Sequence, residues 1–199
     1  MSDHRRPAPV TWERSVVRTD GSQQTGSTPT RIGVAVDIPE PWGELLTRRR
    51  AEAGDPQAAY VPAHLTLLGP TEIAPEHLPA IEAHLDKVAT SHPSYTLHLR
   101  GTGTFRPITE VVFVAVAAGI SECELLAEAI NQAPGLRRET RFPYHPHVTV
   151  AHDVDPAELD RVYRDLAGFE ALVEVRGFTL FSHSGEARWQ PRRDYLLGG

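Results

Sequence analysis

Two short polar segments, His64-Leu65-Thr66 and His147-Val148-Thr149, stand 83 residues apart in otherwise apolar, strand-like stretches. A helix-like pattern returns at nearly the same offset: Pro75, Leu78, Ile81 and Leu85 reappear 81 residues later as Pro156, Leu159, Val162 and Leu166. Apolar stripes share their spacing by construction, so the helix match alone carries little. Polar residues repeated in phase at the same place in both halves are a stronger sign of an internal repeat. Two units are too few for a solenoid, so the repeat constrains the chain to two similar lobes.

The elements between these landmarks follow the same logic. Residues 1–30 are polar and aperiodic and read as a disordered tail. Order is expected from Arg31, where Ile32-Gly33-Val34-Ala35-Val36 forms a buried strand. Pro41 opens a helix bearing Trp42, Leu45 and Leu46, with Gly54 beyond its end. A second strand covers about 61–68 and is expected to stop at Gly69-Pro70. A helix from near Pro75 puts Leu78, Ile81, Leu85 and Val88 on one stripe. A strand at about 94–100 then leads into a glycine-rich turn at Gly101-Thr102-Gly103, with no helix behind it to make a phosphate loop. Val111–Val116 is a fourth strand, and Ser121 with Glu124 reads as a capping box for the next helix. After the His147 strand, Asp155-Pro156 caps a helix with Leu159, Val162, Tyr163 and Leu166 on its apolar face. Strands at about 171–182 and 187–196 close the chain as a hairpin around Ser184-Gly185.

Composition narrows the function classes. The 199 residues suit one domain or two small lobes. No apolar run approaches the roughly 20 residues that span a bilayer, and the N-terminus has no signal-like stretch, so a cytoplasmic protein without a membrane partner is expected. Cys123 is the single cysteine, which excludes an internal disulfide and a cysteine metal cage. With 20 basic and 26 acidic residues the formal charge is −6, which points to a small anionic ligand or an RNA end and away from a long duplex. The clusters Arg48-Arg49-Arg50, Arg137-Arg138 and Arg192-Arg193 read as solvated helix ends or loops.

Strand periodicity turns His64 and Thr66 to one face and Leu65 and Leu67 to the other; His147 and Thr149 oppose Val148 and Val150 in the same way. Each lobe thus offers an imidazole and a hydroxyl roughly 7 Å apart at the backbone. Histidine titrates near neutrality, so one ring can take a proton while the other gives one. Displacement at phosphorus needs such a base and such an acid on opposite sides, and threonine hydroxyls can hold the non-bridging oxygens. His145 shares the face of His147, so a zinc site from His64, His145 and His147 is a rival reading. Pro146 interrupts that strand, and no carboxylate keeps the expected company. His152 and His183 read as surface residues without partners. Phe105 and Tyr144 are candidates for stacking a base, as is Trp42, and Arg106 and Arg141 for steering phosphate.

The stretches Pro62-Ala63-His64-Leu65-Thr66-Leu67-Leu68-Gly69 and Tyr144-His145-Pro146-His147-Val148-Thr149-Val150-Ala151 resemble the paired tetrads of the 2H phosphoesterase superfamily, which includes the 2′-5′ RNA ligase-like and RNA 2′,3′-cyclic phosphodiesterase proteins. The resemblance spans about 31–197. It implies an α+β fold of two pseudo-symmetric lobes, each a mainly antiparallel sheet with helices on its outer face, and a cleft between them. The expected lobes are about 31–105 and 106–199, with the C-terminal strands exchanged between them. Implied too is hydrolysis of a 2′,3′-cyclic phosphate or related phosphodiester on a small nucleotide or RNA end, without metal or other cofactor, by a monomer. Thr66 and Thr149 would bind the phosphate, with His64 as acid and His147 as base, although reversed roles use the same residues. A non-catalytic nucleotide-binding module and 2′-5′ RNA ligation are the alternatives.

Overall fold

A computed structural model describes residues 30–136, 142–184 and 188–198. Eight strands form one curled antiparallel sheet: β1 (Thr30–Asp37), β2 (His64–Ile73), β3 (Tyr95–Thr104), β4 (Val111–Ala118), β5 (His147–His152), β6 (Glu170–Val175), β7 (Gly177–Ser184) and β8 (Arg188–Leu196). Their order is β6-β3-β4-β5-β2-β1-β7-β8, so β5 and β2, the strands of the two His-x-Thr segments, meet in the middle. Four helices cover one face: α1 (Trp42–Glu52), α2 (Leu78–Ser91), α3 (Ile120–Asn131) and α4 (Pro156–Asp165). The fold is therefore the expected α+β arrangement. Among the described residues no helix is long and apolar enough to cross a membrane.

Alternation fixes which face is which. Leu65, Leu67, Val148 and Val150 are at most 2% exposed and point toward the helices. Burying one such side chain is worth roughly 1.5–3 kcal/mol, so a one-residue slip that drove His64 and Thr66 inward would be strongly disfavoured. The helices also tie the halves together. α1, which follows β1, lies against β5, and α3, which follows β4, lies against β2. Each crosses the central seam in the same sense, as the repeat requires.

Several sequence expectations are corrected. β1 starts at Thr30, paired with Ile73, one residue before the expected onset; the rest of the proposed tail lies outside the described residues. Gly69-Pro70 does not end β2. Ile32 pairs with Thr71 and Val34 with Leu68, so the two residues sit in a bulge opposite Gly33, a setting that tolerates proline in a sheet. Gly101-Thr102-Gly103 is likewise not a turn but part of β3, with a register shift between Leu99 and Thr102. Gly101 there adopts φ +66°, and a Cβ on Gly103 would collide with the Phe113 ring.

The Ser121–Glu124 capping box does not form. α3 starts from Gly119 at φ +90°, a left-handed turn that places Ser121 inside the helix. The strand expected over 171–182 is two strands that part at Arg176: β6 pairs with β3, and β7 with β1. β7 and β8 do form the closing hairpin, with Ser184 across from Arg188; its tip and Arg137-Arg138 lie outside the described residues. The arginine clusters are not simply solvated. Arg50 is 5% exposed and bound to Asp55, while Arg192 and Arg193 tie β8 to Glu82 and Asp86 of α2.

Candidate active site

The central seam is built on one backbone pair, Leu65 of β2 with Val148 of β5, running antiparallel. Extending that register by one residue each way sets His64 opposite Thr149 and Thr66 opposite His147, all on the face away from the helices. Four half-buried polar side chains thus form a two-by-two array, with the imidazoles on one diagonal. The pseudo-twofold axis passes between Leu65 and Val148, each the residue that follows its histidine.

Both imidazoles are anchored alike. Nδ1 of His64 lies 2.8 Å from the Pro62 carbonyl, and Nδ1 of His147 lies 2.7 Å from the His145 carbonyl. A carbonyl only accepts, so each ring donates from Nδ1 and keeps Nε2 for the cleft. Burial lowers both histidines below the ordinary imidazole value. For His147 desolvation outweighs the His145 carbonyl and takes the ring down to about 4. For His64 desolvation again leads, opposed by the Pro62 carbonyl and by Asp37, and reinforced by Arg50.

The surroundings of the two rings differ. Phe105 stands edge-on to His147 at 5.0 Å between centroids, and Phe113 packs at 4.5 Å on Phe105. On the other half, β1 places Asp37 across from His64 and Ala35 across from Thr66. The matching positions on β4 are Ala115 and Phe113. The segment entering β2 is pinned by α1: the Thr47 hydroxyl accepts from the Ala63 amide at 2.8 Å, and Arg50 reaches the Val61 carbonyl. A cavity of about 560 Å³ opens beside His64 and Thr66 over β1, β7 and β8, with Asp37, Thr179, Asp194 and Trp189 among its walls.

The sequence pattern of the 2′-5′ RNA ligase superfamily matches residues 38–187, which contain both His-x-Thr segments. The chain belongs to that superfamily. A relative from Bacillus mycoides, provisionally named a phosphoesterase, is 32% identical over 146 residues, 72% of this chain and 84% of the relative. A similarly named protein of Bacillus cytotoxicus is 33% identical over 104 residues, 52% of this chain and 59% of that protein. Among solved structures, E. coli LigT in its complex with NADP+ aligns with a TM-score of 0.65 at 25% identity, over 87% of this chain and all of LigT. Usb1 of Kluyveromyces marxianus shares the fold at 11% identity and a TM-score of 0.51, over 84% of this chain and 98% of that one.

Within this superfamily fold the remaining candidates take definite places. Tyr144 sits on the seam, and its hydroxyl donates to the Thr66 carbonyl at 3.0 Å, linking the approach to β5 with β2. Phe105 is a wall of the His147 side. Arg106 is held by Asp160 at 2.7 Å, and Arg141 lies outside the described residues. His145 packs on Phe105 and Phe113, and among the described residues no group of three or more His, Cys, Asp or Glu is placed to hold a metal ion. His152 and His183 do have partners, contrary to expectation: Asp153 at 3.4 Å and the Trp189 ring at 5.4 Å. Asp37, Thr179, Asp194 and Trp189 join the site from outside the two His-x-Thr segments. Only Asp37 carried a signal, as the single polar residue ending the apolar run of β1.

Proposed function

We propose that this chain is a metal-independent phosphodiesterase that opens a 2′,3′-cyclic phosphate, or a related ester on a small nucleotide or RNA end, by histidine acid–base catalysis. The observation that carries the reading is the two-by-two array of His64, Thr66, His147 and Thr149 on one face of the β2–β5 seam. LigT has been solved with NADP+ and with ATP, which supports a small nucleotide as the ligand here.

In this reading the phosphate sits between the imidazoles, with the Thr66 and Thr149 hydroxyls donating to its non-bridging oxygens. Neutral His147 takes a proton at Nε2 from water as the water oxygen bonds to phosphorus. The bond from phosphorus to one ribose oxygen breaks, and His64 gives that oxygen its Nε2 proton. Asp37, across from His64, supports its charged form, whereas Ala115 stands across from His147, and this supports His64 as the acid. Arrival of an anionic phosphate offsets the desolvation that lowers His64. With a 5′-hydroxyl in place of water, the same base would take that hydroxyl's proton as its oxygen bonds to phosphorus, and the same acid would protonate the departing 3′-oxygen, which is 2′-5′ ligation.

The test is hydrolysis of nucleoside 2′,3′-cyclic phosphates in the presence of a chelator. His64→Ala and His147→Ala are each expected to lower kcat by about 10²–10⁴-fold with the fold intact. Full turnover in both variants, or turnover lost to the chelator and restored by zinc, would overturn the reading.

A further inference from the structure

The two halves are alike in backbone but not in what fills their cleft faces. Phe113, across from Thr149, is 5% exposed and packed against Phe105. Its counterpart across from Thr66 is Ala35, and two residues before that is Gly33. Small side chains on β1 therefore leave open, as the cavity of about 560 Å³, the volume that two phenylalanines fill on the other side. The Trp189 ring rests against Gly33, where a Cβ would lie 3.4 Å from it, and Phe181 and Tyr60 extend the aromatic lining.

The cavity's polar end has one chemical sign. The buried Thr179 hydroxyl lies 2.8 Å from Asp194 Oδ1 and 3.2 Å from Asp37 Oδ2. One hydroxyl carries one proton, so it can serve only one of these acceptors at a time. At least three carboxylate oxygens are left as acceptors without a side-chain donor among the described residues. A further phosphate entering here would meet two carboxylates at short range and be repelled. Aromatic walls favour a flat ring, and acceptor-only carboxylates favour a ring edge with adjacent N–H donors. Guanine presents two neighbouring donors, N1–H and the 2-amino group. On the pairing edges of adenine, cytosine and uracil, each donor stands beside an acceptor.

We propose that the cavity beside His64 is a base-recognition subsite selective for guanine, with Asp37 and Asp194 accepting from its N1–H and 2-amino groups and Trp189 lying on the ring. Resting on the phosphodiesterase reading, it extends that reading by naming the substrate as a guanosine 2′,3′-cyclic phosphate or an RNA end terminating in one.

The experiment has two arms. In the first, kcat/KM is measured for the guanosine, inosine, adenosine, cytidine and uridine 2′,3′-cyclic phosphates. Guanosine is expected to exceed adenosine, cytidine and uridine by at least about tenfold, toward the lower end of what hydrogen bonds to a base edge discriminate, with inosine between. Asp194→Asn keeps an oxygen for Thr179 but brings an amide donor; the guanosine-to-adenosine ratio should fall to within about threefold, chiefly through KM. Ala35→Phe, which fills the cavity as Phe113 does opposite, should abolish the ratio as well. In the second arm, calorimetry compares guanosine and adenosine 3′-monophosphates without needing turnover. Guanosine-selective binding without turnover would remove the hydrolase reading and keep the subsite. Turnover without base preference, or with a preference that Asp194→Asn leaves untouched, overturns the subsite. Neither turnover nor selective binding overturns both.

Discussion

Asp37 and His64 face each other across the ladder between β1 and β2, whereas Ala115 takes the corresponding place opposite His147. A carboxylate beside an imidazole favours its protonated form, so under the proposed mechanism Asp37 breaks the symmetry of the site toward His64 as proton donor. Asp37→Asn should move the alkaline limb of the kcat profile to lower pH, since the acid then loses its proton sooner. A displacement of about one unit would cost about tenfold in kcat at a pH above the limb. A pH–rate profile of the two proteins checks this. An unmoved alkaline limb, or a moved acid limb, would transfer the donor role to His147.

Stability should also register the buried imidazoles. His147 is lowered by desolvation to about 4, against an ordinary value of 6.5, so the fold holds it neutral while the unfolded chain takes the proton first. That contribution is complete above about pH 6.5 and is lost as pH falls toward 4. His64 is lowered in the same direction and adds to the effect. Urea midpoints at pH 7 and pH 5 should therefore drop more for the wild-type protein than for His147→Gln, which has no proton to take up. Equal drops would mean that His147 is not the burden the fold carries in acid.

The candidate site was legible in the sequence because its four proposed members lie in two local segments whose strand period alone decides their facing. The core was readable for the same reason: alternation and helical stripes are short-range signals. What stayed hidden depends on partners far away in the chain. Asp37 meets His64 only because of register, and Thr179 and Asp194 join them from β7 and β8, more than 140 residues later. Arg50 looked like one of three solvated arginines until Asp55 closed on it. Gly69-Pro70 and Gly101–Gly103 misled in another way, because a bulge and a turn use the same residues and only the pairing distinguishes them. Phe113 against Ala35 is the same kind of fact. Neither residue hints at a cavity until the two halves are superposed on their common ladder positions.

The Tyr144 hydroxyl offers a test of how the seam is held. It donates to the backbone carbonyl of Thr66 at 3.0 Å, and burial keeps the phenol protonated well above its ordinary range. Tyr144→Phe preserves the ring and removes one partly buried hydrogen bond, which should cost about 0.5–1.5 kcal/mol. In a chain of this length that is a fall of about 1–6 °C in Tm. Because the accepting carbonyl belongs to Thr66, which the proposed mechanism places on the phosphate, kcat should fall several-fold while KM changes less. Calorimetric melting together with steady-state kinetics separates these effects. A stability loss with unchanged kinetics would confine Tyr144 to a structural role.

A deeper support of the site is the ion pair beneath it. Arg50 Nε meets Asp55 Oδ2 at 2.6 Å with side chains only 6% and 1% exposed, and Asp55 Oδ1 also accepts from the Gln57 amide. Arg50 Nη1 reaches the Val61 carbonyl, three residues before His64, so the pair fixes the segment that leads into the His64 strand. Removing one partner leaves a buried charge uncompensated, and Arg50→Met should destabilise the protein by about 3–5 kcal/mol. Asp55→Asn retains the cap to Gln57 while deleting the charge. The double variant Arg50→Met/Asp55→Asn should therefore be more stable than Arg50→Met alone, although it carries one more substitution. Denaturant unfolding of the four proteins in a double-mutant cycle measures this coupling directly. Additive losses would show that the two charges act separately, and a loss under about 1 kcal/mol for Arg50→Met would show that the pair does not hold this end of β2.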